Sequence, residues 1–130
     1  YRSLGLSLRK HPLCLLRSEL LERKMITAEH IKTLPNGTPV RITGIVTSRQ
    51  RPSTSSGVVF VTLEDETGYA NVVIWRRIAS EQRQVLLNAQ LLGVKGYIER
   101  DGQVIHLIAK QLVDFSPLLG KLVTKSRNFH

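Results

Sequence analysis

The sequence predicts a mainly β fold: a five-stranded barrel with a helix between its third and fourth strands, behind a short helical lead-in. Three observations predict it. After Pro39, apolar residues alternate with polar ones in a series of short runs. Glycine-bearing polar connections separate most of those runs. The helical period returns only once in that region, between the third and fourth runs.

The elements follow in order. Leu13, Leu16, Leu20 and Leu21 recur at helical spacing behind Pro12, which suits a first helical turn. "TAEHIKTLPNG" offers Thr27 as an N-cap, then a turn of helix that stops at Pro35-Asn36-Gly37. Asn36-Gly37-Thr38 has the form of a glycosylation acceptor; with no secretory signal in view it reads as a turn. In "VRITGIVTSRQ" Val40 and Ile42 point one way and Arg41 and Thr43 the other, and Gly44 marks a bulge or bend. "RQRPSTSSG" is a polar loop. "VVFVTLE" and "YANVVIW" are two strands joined by "DETG". "RRIASEQRQVLL" sets Ile78, Val85 and Leu86 on one helical face. "QLLGVKGYIE" and "VIHLIAKQLV" are the last two strands, joined at Asp101-Gly102, a hairpin signal. The tail is partly apolar, with Leu118, Leu119, Leu122 and Val123, then basic. This order is that of an OB-fold, a small barrel that often binds single-stranded nucleic acid. The expected organisation is 1–37 as helical lead-in or linker, 38–115 as the OB-fold, and 116–130 as a basic tail.

Bulk properties narrow the function. The 130 residues carry 19 Lys and Arg against 10 Asp and Glu, a net charge of +9, which favours a polyanionic partner, most often nucleic acid. Mean hydropathy is −0.08, no apolar run is long enough to span a bilayer, and no membrane partner is expected. Cys14 is alone, so it reads as a small apolar residue in a reducing, cytoplasmic setting. Tyr1 in place of an initiator Met leads to the expectation of a piece of a longer protein.

No catalytic or metal-binding set stands out. Glu64, Asp65 and Glu66 are adjacent at an exposed hairpin tip, whereas a catalytic pair or a metal site needs carboxylates converging from separate segments. Asp65 and Thr67 suit capping of the turn's own N–H groups. "SLRK", Ser7 to Lys10, matches a nucleophile pattern without any companion motif. The four His are scattered. The expectation is therefore a fragment with no enzyme activity, cofactor or metal of its own.

The barrel's outer face carries the candidate site. With Val59, Val61 and Leu63 inward, Phe60 and Thr62 face out; with Ala70, Val72 and Ile74 inward, Tyr69, Asn71, Val73 and Trp75 face out. Phe60 and Tyr69 are candidate stacking platforms, and Asn71 can hydrogen-bond to a base. Trp75, at the strand end, reads as a packing anchor more than a platform. Lys95 and Tyr97 share the outward face of the fourth strand. Arg41, Arg49, Arg51, Arg76 and Arg77 are candidate phosphate contacts.

The segment "VRITGIV…RQRP…GVVFVTLEDETGYANVVIW" resembles nucleic-acid-binding OB-folds, including anticodon-binding domains of class II aminoacyl-tRNA synthetases of the Asp/Asn/Lys type. In those, an aromatic on strand two and an amide on strand three contact bases, and Phe60 and Asn71 occupy those places. Together, "LSLRKHPLCLLR", "RQRP", "LEDETG", "GQVIHLIAKQLVD" and "SRNFH" make nearly the whole chain similar to the C-terminal region of the error-prone branch of the bacterial family-C DNA polymerases. Ser55 and Ser56 stand where that resemblance leads one to expect a small residue and a basic one. The resemblance implies a parent DNA-directed DNA polymerase that extends past lesions in damage-induced mutagenesis and repair. It implies accessory mutagenesis proteins and a sliding clamp as partners, with Mg held by acids upstream of this sequence. This fragment would be the OB-fold that touches single-stranded template DNA. The alternatives are a protein-interaction module, using the barrel face or the leucine-bearing tail, and an RNA-binding OB-fold.

Overall fold

The computed structural model describes residues 12–52 and 56–120. The SLRK segment, Ser55, Leu122, Val123, the basic end of the tail and the SRNFH terminus lie outside the described residues.

Five strands close into one barrel: β1 (Pro39–Gln50), β2 (Val59–Asp65), β3 (Gly68–Ile74), β4 (Leu91–Asp101) and β5 (Val104–Asp114). The order around it is β1-β2-β3-β5-β4. All pairs are antiparallel except β3 with β5. The long β1 serves both halves. Its first part, through Ile45, pairs with β4, and from Ile45 on it pairs with β2. At the crossing a side chain on Gly44 would stand 2.8 Å from Leu63 Cβ, so the glycine is required for strand approach. The bulge lies slightly later, between Val46 and Ser48.

The alternation places a core of Val40, Ile42, Val61, Leu63, Val72, Ile74, Val94, Ile98, Leu107 and Leu112 inside the barrel. Two-residue loops close both hairpins, Glu66-Thr67 after the Asp65–Gly68 pair and Gly102-Gln103 after the Asp101–Val104 pair. Gly102 takes φ 63°, a conformation a side chain would strain.

Helix α1 (Pro12–Glu22) buries Leu13, Leu16 and Leu20, and α2 (Ala28–Ile31) is capped by Thr27, whose hydroxyl accepts from the His30 N–H. The predicted single helix after β3 is two short ones, α3 (Arg76–Glu81) and α4 (Arg83–Asn88). The break falls at Gln82, whose amide side chain donates to the Leu112 carbonyl at 2.8 Å and accepts from the Leu112 N–H at 2.7 Å. Satisfying both backbone groups of that β5 residue outweighs one continuous helical turn.

A second core forms outside the barrel. Leu13, Leu16, Leu20 and Met25 meet Leu91 and Leu118, with Ile45, Phe115 and Leu119 packed against them. The described lead-in and the start of the tail therefore pack on the barrel and on each other.

Candidate nucleic-acid interface

The acidic hairpin is a clasp. Asp65 is 4% exposed, which overturns the expectation of an exposed tip. Its Oδ1 accepts from Thr67 N, Thr67 Oγ1 and Gly68 N, and its Oδ2 from Ala28 N at 2.7 Å. The predicted turn capping is present, but the same carboxylate also caps α2 from a distance. Arg17 of α1 grips Glu66 with two 2.6 Å hydrogen bonds and lies 3.6 Å from Asp65. The Glu66 hydrogen bond, foremost, holds the Arg17 pKa above its ordinary value, against the downward pull of burial. Asp65 and Glu66 are thus occupied by peptide N–H groups and a guanidinium. Among the described residues no group of three or more His, Cys, Asp or Glu side chains could hold a metal ion.

The opposite outcome holds on the outer face. Cross-strand register lines up Gln50, Phe60, Val73, Ile108 and Tyr97 in one row across β1, β2, β3, β5 and β4. Phe60 is 38% exposed. Val73 faces outward as its phase requires, yet is 7% exposed because Val58, Ile108 and Tyr97 pack around it. That small outer cluster fixes the Tyr97 ring half-buried. The next row holds Thr62 and Asn71, and the next Glu64 and Tyr69. Tyr69 is 57% exposed. A hydrogen bond to Glu64 raises the pKa of its phenol, so the ring is braced across the hairpin. Tyr69 and Asn71 line a groove of about 330 Å³ with Lys32 and Gln103.

The cations divide into free and committed ones. Arg51 is exposed and lines a groove of about 280 Å³ with Gln50, Arg83 and Leu87, beside Phe60. Arg49 also borders that groove, but its Nε donates to the Leu86 carbonyl at 2.7 Å and its Nη2 to the Ala89 carbonyl. It caps the end of α4, where carbonyls lack helical partners. Arg76 is exposed, and its methylenes pack on Gly57. Arg77 pairs with Glu81 at 3.1 Å on the open surface. Arg41 and Lys95 are direct cross-strand neighbours, both exposed, and no acid among the described residues pairs with either. Like charges so placed repel unless an anion lies between them.

Two residues were missed from sequence. Arg83, on α4, borders the groove of Arg51. Lys110 is the extra residue of a bulge, since Lys95 pairs with Gln111 while Gly96 pairs with Ala109. Lys110 follows Ile108 by two residues onto the outer face, where its Nζ lies 5.5 Å from the centre of the Tyr97 ring, and the bulge returns Leu112 to the core. Only Gly96 in "GVKGYIE" hinted at that irregularity.

The closed barrel, with a helical connection after the third strand and an aromatic outer face, is the arrangement of a described domain family. The family described as OB-fold nucleic acid binding domain, of the tRNA anti-codon type, matches residues 40–115. The chain belongs to it. The OB-fold is also what solved structures share with it: asparaginyl-tRNA synthetase from Pyrococcus horikoshii superposes with TM-score 0.61 at 17% identity, over 71% of this chain and 23% of that one. In sequence the whole OB-fold chain is similar to a segment of longer proteins. It is 55% identical over 130 residues to the error-prone DNA polymerase of Dechloromonas aromatica (strain RCB), covering 100% of this chain and 13% of the relative. The error-prone DNA polymerase of Pseudomonas fluorescens (strain Pf0-1) is 52% identical over the same length, again 13% of the relative.

Proposed function

We propose that this OB-fold binds single-stranded nucleic acid, the template strand, on its outer face, as part of an error-prone DNA polymerase that copies damaged DNA. The observation that carries the reading is the outward aromatic row of Phe60 and Tyr97, bordered by Arg51, Arg76, Arg83 and Lys110, which make no ion pair among the described residues. Phe60 and Tyr69 stack bases, Asn71 hydrogen-bonds to one, and Arg41, Arg51, Arg76, Arg77, Arg83 and Lys95 contact phosphates. Arg49 positions the loop and α4 and offers phosphate its remaining donor. We assign polymerase chemistry, its Mg, repair, accessory mutagenesis proteins, a sliding clamp and a cytoplasmic location to the longer parent chain; the 55% identity to an error-prone DNA polymerase supports the polymerase assignment alone.

Phe60→Ala is expected to weaken oligothymidylate binding by about 1–3 kcal/mol, the range for one stacked base, with an unchanged melting temperature. Fluorescence anisotropy of a labelled oligonucleotide reads the first and circular dichroism the second. Unaltered affinity in a folded variant would remove Phe60 from the interface.

The two loop arginines separate by role. Arg51→Ala is expected to reduce the slope of log affinity against log salt by about 0.7, one phosphate contact on a single strand, with stability intact. Arg49→Ala is expected to destabilise the fold by about 1–3 kcal/mol through the two carbonyls it leaves. A salt titration of each variant beside its urea denaturation curve distinguishes them, and interchanged results would refute the assignment.

A further inference from the structure

Trp75 is the chain's single tryptophan. Its backbone is fixed as the N-cap of α3, yet its side chain is 53% exposed and so does not act as the packing anchor expected from sequence. It lines a groove of about 260 Å³ with Arg77, Ile78, Tyr97, Ile108 and Lys110. The parallel register explains the grouping. Val73 pairs with Ile108, and two residues further along both strands come Trp75 and Lys110. Lys110 in turn sits over the Tyr97 ring. The groove thus gathers two aromatic side chains, two cations and the apolar Ile78 and Ile108.

We infer that this groove is a nucleobase pocket. One unstacked base of a single strand stacks on the exposed Trp75 ring beside Tyr97, and Arg77 and Lys110 contact its flanking phosphates. The volume is below the range of about 300–1,000 Å³ usual for small-molecule sites, which suits one base. Aromatic faces stack any base, and the cations supply the backbone contact. The Arg77–Glu81 pair does not oppose this: an exposed pair of that kind is weak and exchanges readily for phosphate. The pocket rests on the nucleic-acid reading of the outer face. It adds a contact at the β3–α3 junction and on β5, beyond the Phe60 and Asn71 positions.

The test uses Trp75 as its own reporter. The 130-residue chain is titrated with end-labelled oligothymidylate, and in a second series with an abasic oligomer of equal length. Trp75 emission and label anisotropy are followed together. Quenching that saturates with the anisotropy of oligothymidylate, and is absent with the abasic oligomer, is the expected result. Trp75→Ala is expected to weaken binding about 5- to 150-fold, the range a stacked base carries. Lys110→Glu is expected to lower affinity and the salt slope together. Both positions are exposed, so folding survives either change. Anisotropy that rises while Trp75 emission stays constant overturns the pocket and leaves the outer-face reading standing, as does equal quenching by the abasic oligomer. No anisotropy change at low salt overturns both.

Discussion

Asp65→Ala is expected to destabilise the chain by about 3–5 kcal/mol, the combined cost of leaving several donors, the buried Ala28 N–H first among them, without an acceptor at about 1–3 kcal/mol each. For a domain of this size that lowers Tm by about 10–20 °C. The physical basis is the number of groups that lose an acceptor together. The carboxylate serves Ala28 N, Thr67 N, Thr67 Oγ1 and Gly68 N, and stands 3.6 Å from the Arg17 guanidinium. Ala28 is buried, so its orphaned N–H cannot turn to water without moving α2. Asp65→Asn retains a carbonyl acceptor and is expected to lose about half as much. Calorimetric melts of both variants check this; an Asp65→Ala variant as stable as the parent chain would show that the lead-in does not depend on the clasp.

Gly96→Ala is expected to be as damaging, by about 4 kcal/mol or more, and by a different mechanism. A methyl group at Gly96 would collide with the Ile108 carbonyl oxygen and stand 2.9 Å from its carbon and 3.2 Å from Ala109 Cα. All three are backbone atoms of the partner strand, so no side chain can rotate away. β4 and β5 must separate at the bulge. Because Lys110 and Tyr97 meet beside that bulge, any folded fraction of the variant is expected to bind single strands less well than its stability predicts. Hydrogen exchange should show lost protection at Tyr97 and Ile108. Retained protection would mean that the strands tolerate the methyl group.

The strands were legible in the sequence because their chemistry is local. Inward Val59, Val61 and Leu63 and outward Phe60 follow from period two alone, and Thr27 and Gly102 announce their cap and turn. What escaped depends on partners far along the chain. Asp65 looks exposed until Ala28, 37 residues away, is brought to it, and Glu66 until Arg17, 49 residues away, arrives. Gln82 breaks a helix for the sake of Leu112, 30 residues on. Arg49 reads as a free cation because nothing nearby in sequence reveals the helix end it caps. The same holds for the outer face. Its residue types were visible, but the packing of Val73 by Ile108 and Tyr97, and the meeting of Lys110 with Tyr97, required the β3–β5 and β4–β5 registers.

The central claim is that the outer face binds a single strand, and one titration tests it most directly. The chain is titrated with labelled oligothymidylate and with duplex DNA of equal length, at low and at physiological salt. The account predicts preference for the single strand, affinity that falls steeply with salt, and loss of most of that affinity in a Phe60→Ala/Trp75→Ala variant that still melts like the parent chain. Equal affinity for duplex and single strand, unchanged in the folded double variant, would contradict it and reduce the interaction to the attraction of a +9 surface for any polyanion.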